Sequence, residues 1–116
     1  MGFKKVLYTF VPFNNVAVSS TTTYTSVSTN ITNLDNVGCQ VKWVGSMVGT
    51  LTVLVSNDDQ NYDSLTFNPV LTQPTGTDLK YAISLNQLPW PYVKFQYVNS
   101  SGSGTLYISI FGKDLN

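Results

Sequence analysis

Apolar and polar residues alternate with a period of two along much of this chain, the spacing that sends successive side chains to opposite faces of a β-strand. Residues 38–44 put Cys39, Val41 and Trp43 on one face and Gln40 and Lys42 on the other. Residues 50–56 group Leu51, Val53 and Val55 against Thr50 and Thr52. Residues 92–98 group Val93, Phe95 and Tyr97 against Lys94 and Gln96, and residues 105–111 carry Leu106, Ile108 and Ile110 inward. Gly45–Gly49 and the Gly/Ser-rich stretch 99–104 separate these runs, which predicts two hairpins, the second with a flexible tip. Gly49–Val55 reads like Gly104–Ile110 at an offset of 55 positions, so two comparable hairpins are expected to feed one core.

Weaker alternation predicts strands at 4–10, 15–19, 22–32, 62–67 and 78–85. Pro12 confines the first to a sheet edge or exit, and Asn68-Pro69 closes the fourth. The total is about eight strands with turns at roughly the spacing of sandwiches. The expected fold class is therefore all-β: a single antiparallel β-sandwich, jelly-roll-like, spanning 1–116 as one domain. An immunoglobulin-like frame would want two cysteines around a tryptophan, and Cys39 is the sole cysteine. Met1 to Phe13 reads as a docking arm or an edge strand able to add to a neighbour's sheet.

Composition supports the class. Glu, Arg and His are absent and Ala occurs at Ala17 and Ala82 alone, which removes most strong helix formers. Val, Thr, Tyr, Phe and Ile suit a pleated, half-buried surface. A chain of 116 residues buries about two-thirds of its unfolded surface, enough for one core without staples. Six lysines balance six aspartates, so no basic stripe announces nucleic acid, and neutrality leaves self-association open, with a homo-oligomer expected. Lys4 and Lys5 before Val6-Leu7-Tyr8 imitate a secretion signal, but Thr9 and Pro12 break the apolar stretch and no small-residue cleavage site follows. No apolar run reaches the ~20 residues of a membrane helix, so no membrane partner is expected.

Candidate chemistry is sparse. Without His, neither a Ser-His-Asp nor a Cys-His mechanism can be built, and Cys39 reads as a small buried hydrophobe. Ser56–Asp63 concentrates oxygen donors, yet it fails the EF-hand pattern at Ser64 and Val70 and reads as a solvated connection, with no metal and no cofactor expected. No phosphate-cradling glycine loop is present, and the expectation is that the protein is not an enzyme. Leu88-Pro89-Trp90-Pro91-Tyr92 has three readings: Trp90 plugs the end of the sandwich, meets a partner, or stacks on a sugar. The candidate partner or glycan contacts are Trp90, Tyr92 and Tyr62.

Val48–Asp58, Trp90–Tyr97, Ser101–Leu106 and the closing Phe111-Gly112-Lys113 resemble small virion structural proteins of tailed bacteriophages. Those proteins often carry a strand ending in a Ser-Asn-Asp turn, and close on a Pro-aromatic-Val-Arg/Lys run, a Ser-Gly-Ser-Gly-Thr-Leu stretch and Gly-Lys. The resemblance covers about the last two-thirds of the chain, with Lys94 where such proteins often have Arg. It implies a head decoration or accessory capsid subunit, assembled in the host cytoplasm onto other virion proteins and located in the virion. The alternative is a carbohydrate- or receptor-binding β-sandwich module of a phage fibre or tail, with Trp90 and Tyr62 as platforms. A third reading is a sandwich module of a larger surface complex with no ligand of its own.

Overall fold

The alternating runs become strands in the computed structural model, which describes residues 7–32, 34–67, 71–76, 78–85 and 89–114. They are β1 (Leu7–Val18), β2 (Thr23–Thr25), β3 (Thr29–Asn30), β4 (Leu34–Gly45), β5 (Val48–Ser56), β6 (Asp63–Ser64), β7 (Leu79–Ser84), β8 (Tyr92–Ser101) and β9 (Gly104–Asp114). One antiparallel sheet has the order β1-β9-β4-β7; the other has β2-β8-β5-β6, with β3 also on β8. Because β2 and β3 pair with successive parts of β8, they form one interrupted strand and the count becomes eight. Consecutive strands then change sheet at every step except β5 to β6, which is the strand order of a jelly roll.

The inward faces are those the alternation marks. Cys39, Val41 and Trp43 of β4, Leu51, Val53 and Val55 of β5, Val93, Phe95 and Tyr97 of β8, and Leu106, Ile108 and Ile110 of β9 are all buried. Val41 lies between Ile108 and Tyr81 in one sheet, and Val53 lies opposite Phe95 in the other. Inner faces of packed sheets sit about 10 Å apart, so these rows fill the space between them. Each large apolar side chain removed from water contributes about 1.5–3 kcal/mol. Trp43 meets the Tyr81 ring edge-on, with centroids 5.6 Å apart and planes at 78°, and the Tyr81 hydroxyl donates to the Thr72 carbonyl.

The two expected hairpins do not form. β4 and β5 lie in different sheets, as do β8 and β9, so both connections are arches across the sandwich. Period-two alternation states which way a side chain points, and a short glycine-containing connector serves a hairpin or an arch equally well. Here the arches interlock. Gly45, at φ +117, leaves no room for a Cβ, which would lie 2.7 Å from Gly104 Cα; Gly102, at φ +76, sits over the Ser46 carbonyl. Ser46 N–H donates to the Ser103 carbonyl at 3.0 Å, and Met47, inside the first connector, is fully buried.

The 99–104 stretch is likewise no free tip. β8 continues to Ser101, and Asn99 is fully buried. Asn99 Oδ1 accepts from the Tyr97 hydroxyl at 3.0 Å, while Nδ2 donates to the carbonyls of Ser20 at 2.7 Å and Gly102 at 3.0 Å. Its backbone N–H reaches the Thr22 carbonyl. One amide thus ties the end of β8 to the turn after β1 and to the arch.

Edges explain the other differences. The strands expected at 4–10 and 15–19 are one strand, β1, which passes through Pro12 with register shifts between Phe10 and Phe13 and between Phe13 and Val16. Proline is tolerated because β1 pairs with β9 alone, leaving its other side without a strand partner among the described residues. Residues 7–13 of the expected docking arm are therefore part of the protomer's own edge strand, with Phe13 in the core; residues 1–6 lie outside the described residues, as does Asn68-Pro69. The strand expected over 62–67 is the two-residue β6. Beyond it, the edge of β5 is covered by the 71–76 segment: Gln73 Oε1 accepts from Leu51 N–H and Gln73 Nε2 donates to the Leu51 carbonyl. Pro74 and Met47 carbonyls accept from Gly49 and Gly76. A side-chain amide thus stands in for a strand and blunts the edge.

Asn99→Ala would leave the buried Tyr97 hydroxyl and the Ser20 and Gly102 carbonyls without the Asn99 side chain. It is expected to lower unfolding free energy in urea by about 1–3 kcal/mol, whereas Ser103→Ala at the exposed tip should stay within about 0.5 kcal/mol.

Candidate functional site: aromatic patch and open edge

The structure brings Tyr62 and Tyr92, two of the three predicted aromatics, together. Tyr92 opens β8 opposite Ser56 of β5 and Asn30 of β3, and Lys94 follows two residues later on the same outward face. The Lys94 ammonium lies 4.0 Å from the centroid of the Tyr62 ring, a cation–π contact. Tyr62 in turn donates its hydroxyl to Asp59 Oδ1. Burial, then the Asp59 carboxylate, pushes the Tyr62 phenol up, with smaller contributions that include the nearby Tyr92 hydroxyl. The Tyr62 hydroxyl and then Ser28 hold Asp59 below the usual carboxylate range. Tyr62, Tyr92, Lys94, Asp59 and Ser28 therefore make one amphipathic patch at an end of the β2-β8-β5-β6 sheet.

Trp90 is exposed just before β8. Among the described residues it makes no ring pair with Tyr62 or Tyr92.

The oxygen-rich loop 56–63 spends its donors and acceptors on itself. Asp58 Oδ1 accepts from the Ser56 hydroxyl and the backbone N–H groups of Gln60 and Asn61, while Oδ2 accepts from Asn61 Nδ2. Those bonds, led by the Asn61 and Gln60 amides, hold the Asp58 carboxyl well below its ordinary value. Asp59, at φ +61, adopts the left-handed conformation that Asp tolerates in turns. No group of three or more His, Cys, Asp or Glu side chains gathers among the described residues, and no helix among them is long and apolar enough to cross a membrane. Cys39 is fully buried and its thiol is pushed up to about 12 by desolvation, so it sits as the small hydrophobe expected of it.

Pro12 marks β1 as an edge in the sequence, but no pattern marks the cleft between β1 and the β2–β3 strand. Phe10, Val11 and Pro12 of one edge face Val27, Ser28 and Asn30 of the other across a cleft of about 280 Å³. Val27, 74% exposed, is the most exposed large apolar residue among those described. It falls in the gap between β2 and β3, where alternation is lost and nothing assigns it a face.

No family model matches the chain, and no curated protein matches it in sequence. Solved structures do share the fold. The PBSX exported protein XepA superposes with a TM-score of 0.64 at 14% identity over 94% of this chain and 37% of its own. The VP2 subviral particle of infectious bursal disease virus gives a TM-score of 0.59 at 14% identity, over 96% of this chain and 33% of its own. The SPBc2 prophage-derived protein YomS gives 0.61 at 12% identity, over 97% of this chain and 98% of its own. The chain thus spans about a third of the length of VP2 and XepA, and nearly all of YomS.

Asp58 yields a pH prediction. Its folded pKa is depressed, so its stabilisation is present above the unfolded value of about 3.9 and is lost as pH falls toward the folded one. Asp58→Asn is expected to lower the urea midpoint most at neutral pH, with the gap to the parent narrowing below about pH 4.

Proposed function

We propose that this chain is a structural subunit of a bacteriophage particle, a head decoration or accessory capsid protein that acts by protein–protein assembly. One observation carries the reading: the same two-sheet jelly roll, at nearly full coverage of this chain, recurs in the PBSX protein XepA, in the prophage-derived YomS and in a viral particle protein. The virion-protein resemblance of Val48–Asp58 and Trp90–Lys113 supports it independently. The proposal includes no catalytic step. The outer edge of β1, which has no strand partner among the described residues, and the apolar cleft beside it offer exposed Val11 and Val27 to other virion subunits.

A second reading, a carbohydrate- or receptor-binding module of a fibre or tail, is favoured by the exposed Trp90.

Quantitative mass spectrometry of gradient-purified particles from the source of this gene separates the two. Decoration predicts copies on the scale of the capsid lattice, and a fibre or tail module predicts a few per particle. Absence from particles contradicts both. Val11→Lys with Val27→Lys, both exposed, is expected to keep the β-sheet circular dichroism and lose particle occupancy.

A further inference from the structure

We infer that the outer face of the β1-β9-β4-β7 sheet is a binding site for an anionic carbohydrate, a sugar chain bearing phosphate or carboxylate groups. Lys42 and Lys80 would take the charge, with Tyr107, Gln40 and Asn15 contacting the adjoining sugar. The site lies on the opposite sheet from the Tyr62–Tyr92 patch, and it stands whether or not the chain belongs to a particle.

Strand register builds the site. Lys42 of β4 lies directly opposite Tyr107 of β9 on one side and Lys80 of β7 on the other. Residues so paired share a face with Cβ atoms about 5 Å apart, so Tyr107, Lys42 and Lys80 form one row across the sheet. Asn15 of β1 completes the row and Gln40 stands one step along β4, enclosing a groove of about 360 Å³. On the other side of the lysine pair, Val44, Asp78 and Leu79 line a second groove of about 390 Å³. The two ammonium groups are thus a shared wall between two concavities.

Two features favour a ligand on this face. Like charges directly opposite one another destabilise a sheet, and neither lysine has an ion pair among the described residues. Asp78, the carboxylate lining the second groove, accepts instead from the Gly45 N–H at 2.7 Å. Lys94, on the other sheet, is by contrast held over the Tyr62 ring. The second feature is Asn15, in the left-handed region at φ +50 where the β1–β9 register slips between Phe13 and Val16. Such bulges re-aim side chains, and this one places an amide in the groove. An anion between Lys42 and Lys80 replaces their repulsion with two charge-assisted contacts. The half-buried Tyr107 ring offers its apolar surface to a sugar face.

The test is an NMR titration of the ¹⁵N-labelled full chain with three probes: trigalacturonate, an oligomer of glycerol phosphate, and neutral maltotriose. At least one anionic probe is expected to shift the amides of Lys42, Lys80 and Tyr107 at about millimolar concentration, and maltotriose is not. Whichever anionic probe binds more tightly distinguishes carboxylate from phosphate. Binding should weaken between about 20 and 200 mM NaCl, and at least tenfold in the Lys42→Gln/Lys80→Gln double variant with its dispersed spectrum intact. Lys80→Gln alone should melt no lower than the parent without ligand. The inference is overturned if neither anionic probe shifts these amides, if maltotriose shifts them equally, or if the double variant binds as the parent does.

Discussion

The structure depends on one constraint: the four central strands each present a single apolar row, and those rows are satisfied only by facing one another across two sheets. Cys39–Trp43 and Leu106–Ile110 make one wall, and Leu51–Val55 and Val93–Tyr97 the other. For neighbours in sequence to stand on opposite walls, the chain must cross the sandwich at both Gly45–Met47 and Ser101–Gly104. The two crossings are tied together by the buried Asn99 amide and by Ser46 N–H on the Ser103 carbonyl, and Gly45 and Gly102 leave room for the backbones to approach. Stability and topology therefore meet at the interlocked arches.

The surfaces open to other molecules follow from the same arrangement. With both inner faces consumed, what remains is two outer faces and the edges. The β5 edge is covered by β6 and Gln73, while β1 keeps a side without a strand partner among the described residues, next to the apolar cleft under Val27. The outer faces differ in charge chemistry: Lys94 is engaged by Tyr62 on one sheet, and Lys42 and Lys80 stand side by side on the other. A chain with zero net charge can thus carry locally distinct surfaces.

Much of the core is legible in the order of residues alone. All twelve inward residues of the four main runs are buried, because period-two alternation directly encodes facing. Strand partners are not legible, since pairing is decided by residues far apart in sequence; this is why 45–49 and 99–104 read as hairpin turns and fold as arches. Met47 is buried although it sits in a connection where no periodicity marks it, while Ile31 and Leu85, at the ends of alternating runs, are buried just past the strands that form. At the candidate site, Tyr62 and Tyr92 converge through β5–β8 pairing. The Lys42–Lys80–Tyr107 row is invisible in the sequence because its members are 27 to 65 positions apart.

Backbone nuclear Overhauser effects in the labelled chain decide between crossed arches and hairpins. Crossed arches require cross-strand contacts between Val41 and Ile108 and between Val53 and Phe95, with none between the backbones of Val41 and Val53. Backbone contacts joining 38–44 to 50–56 in hairpin register would contradict the arches and the two-walled core built on them.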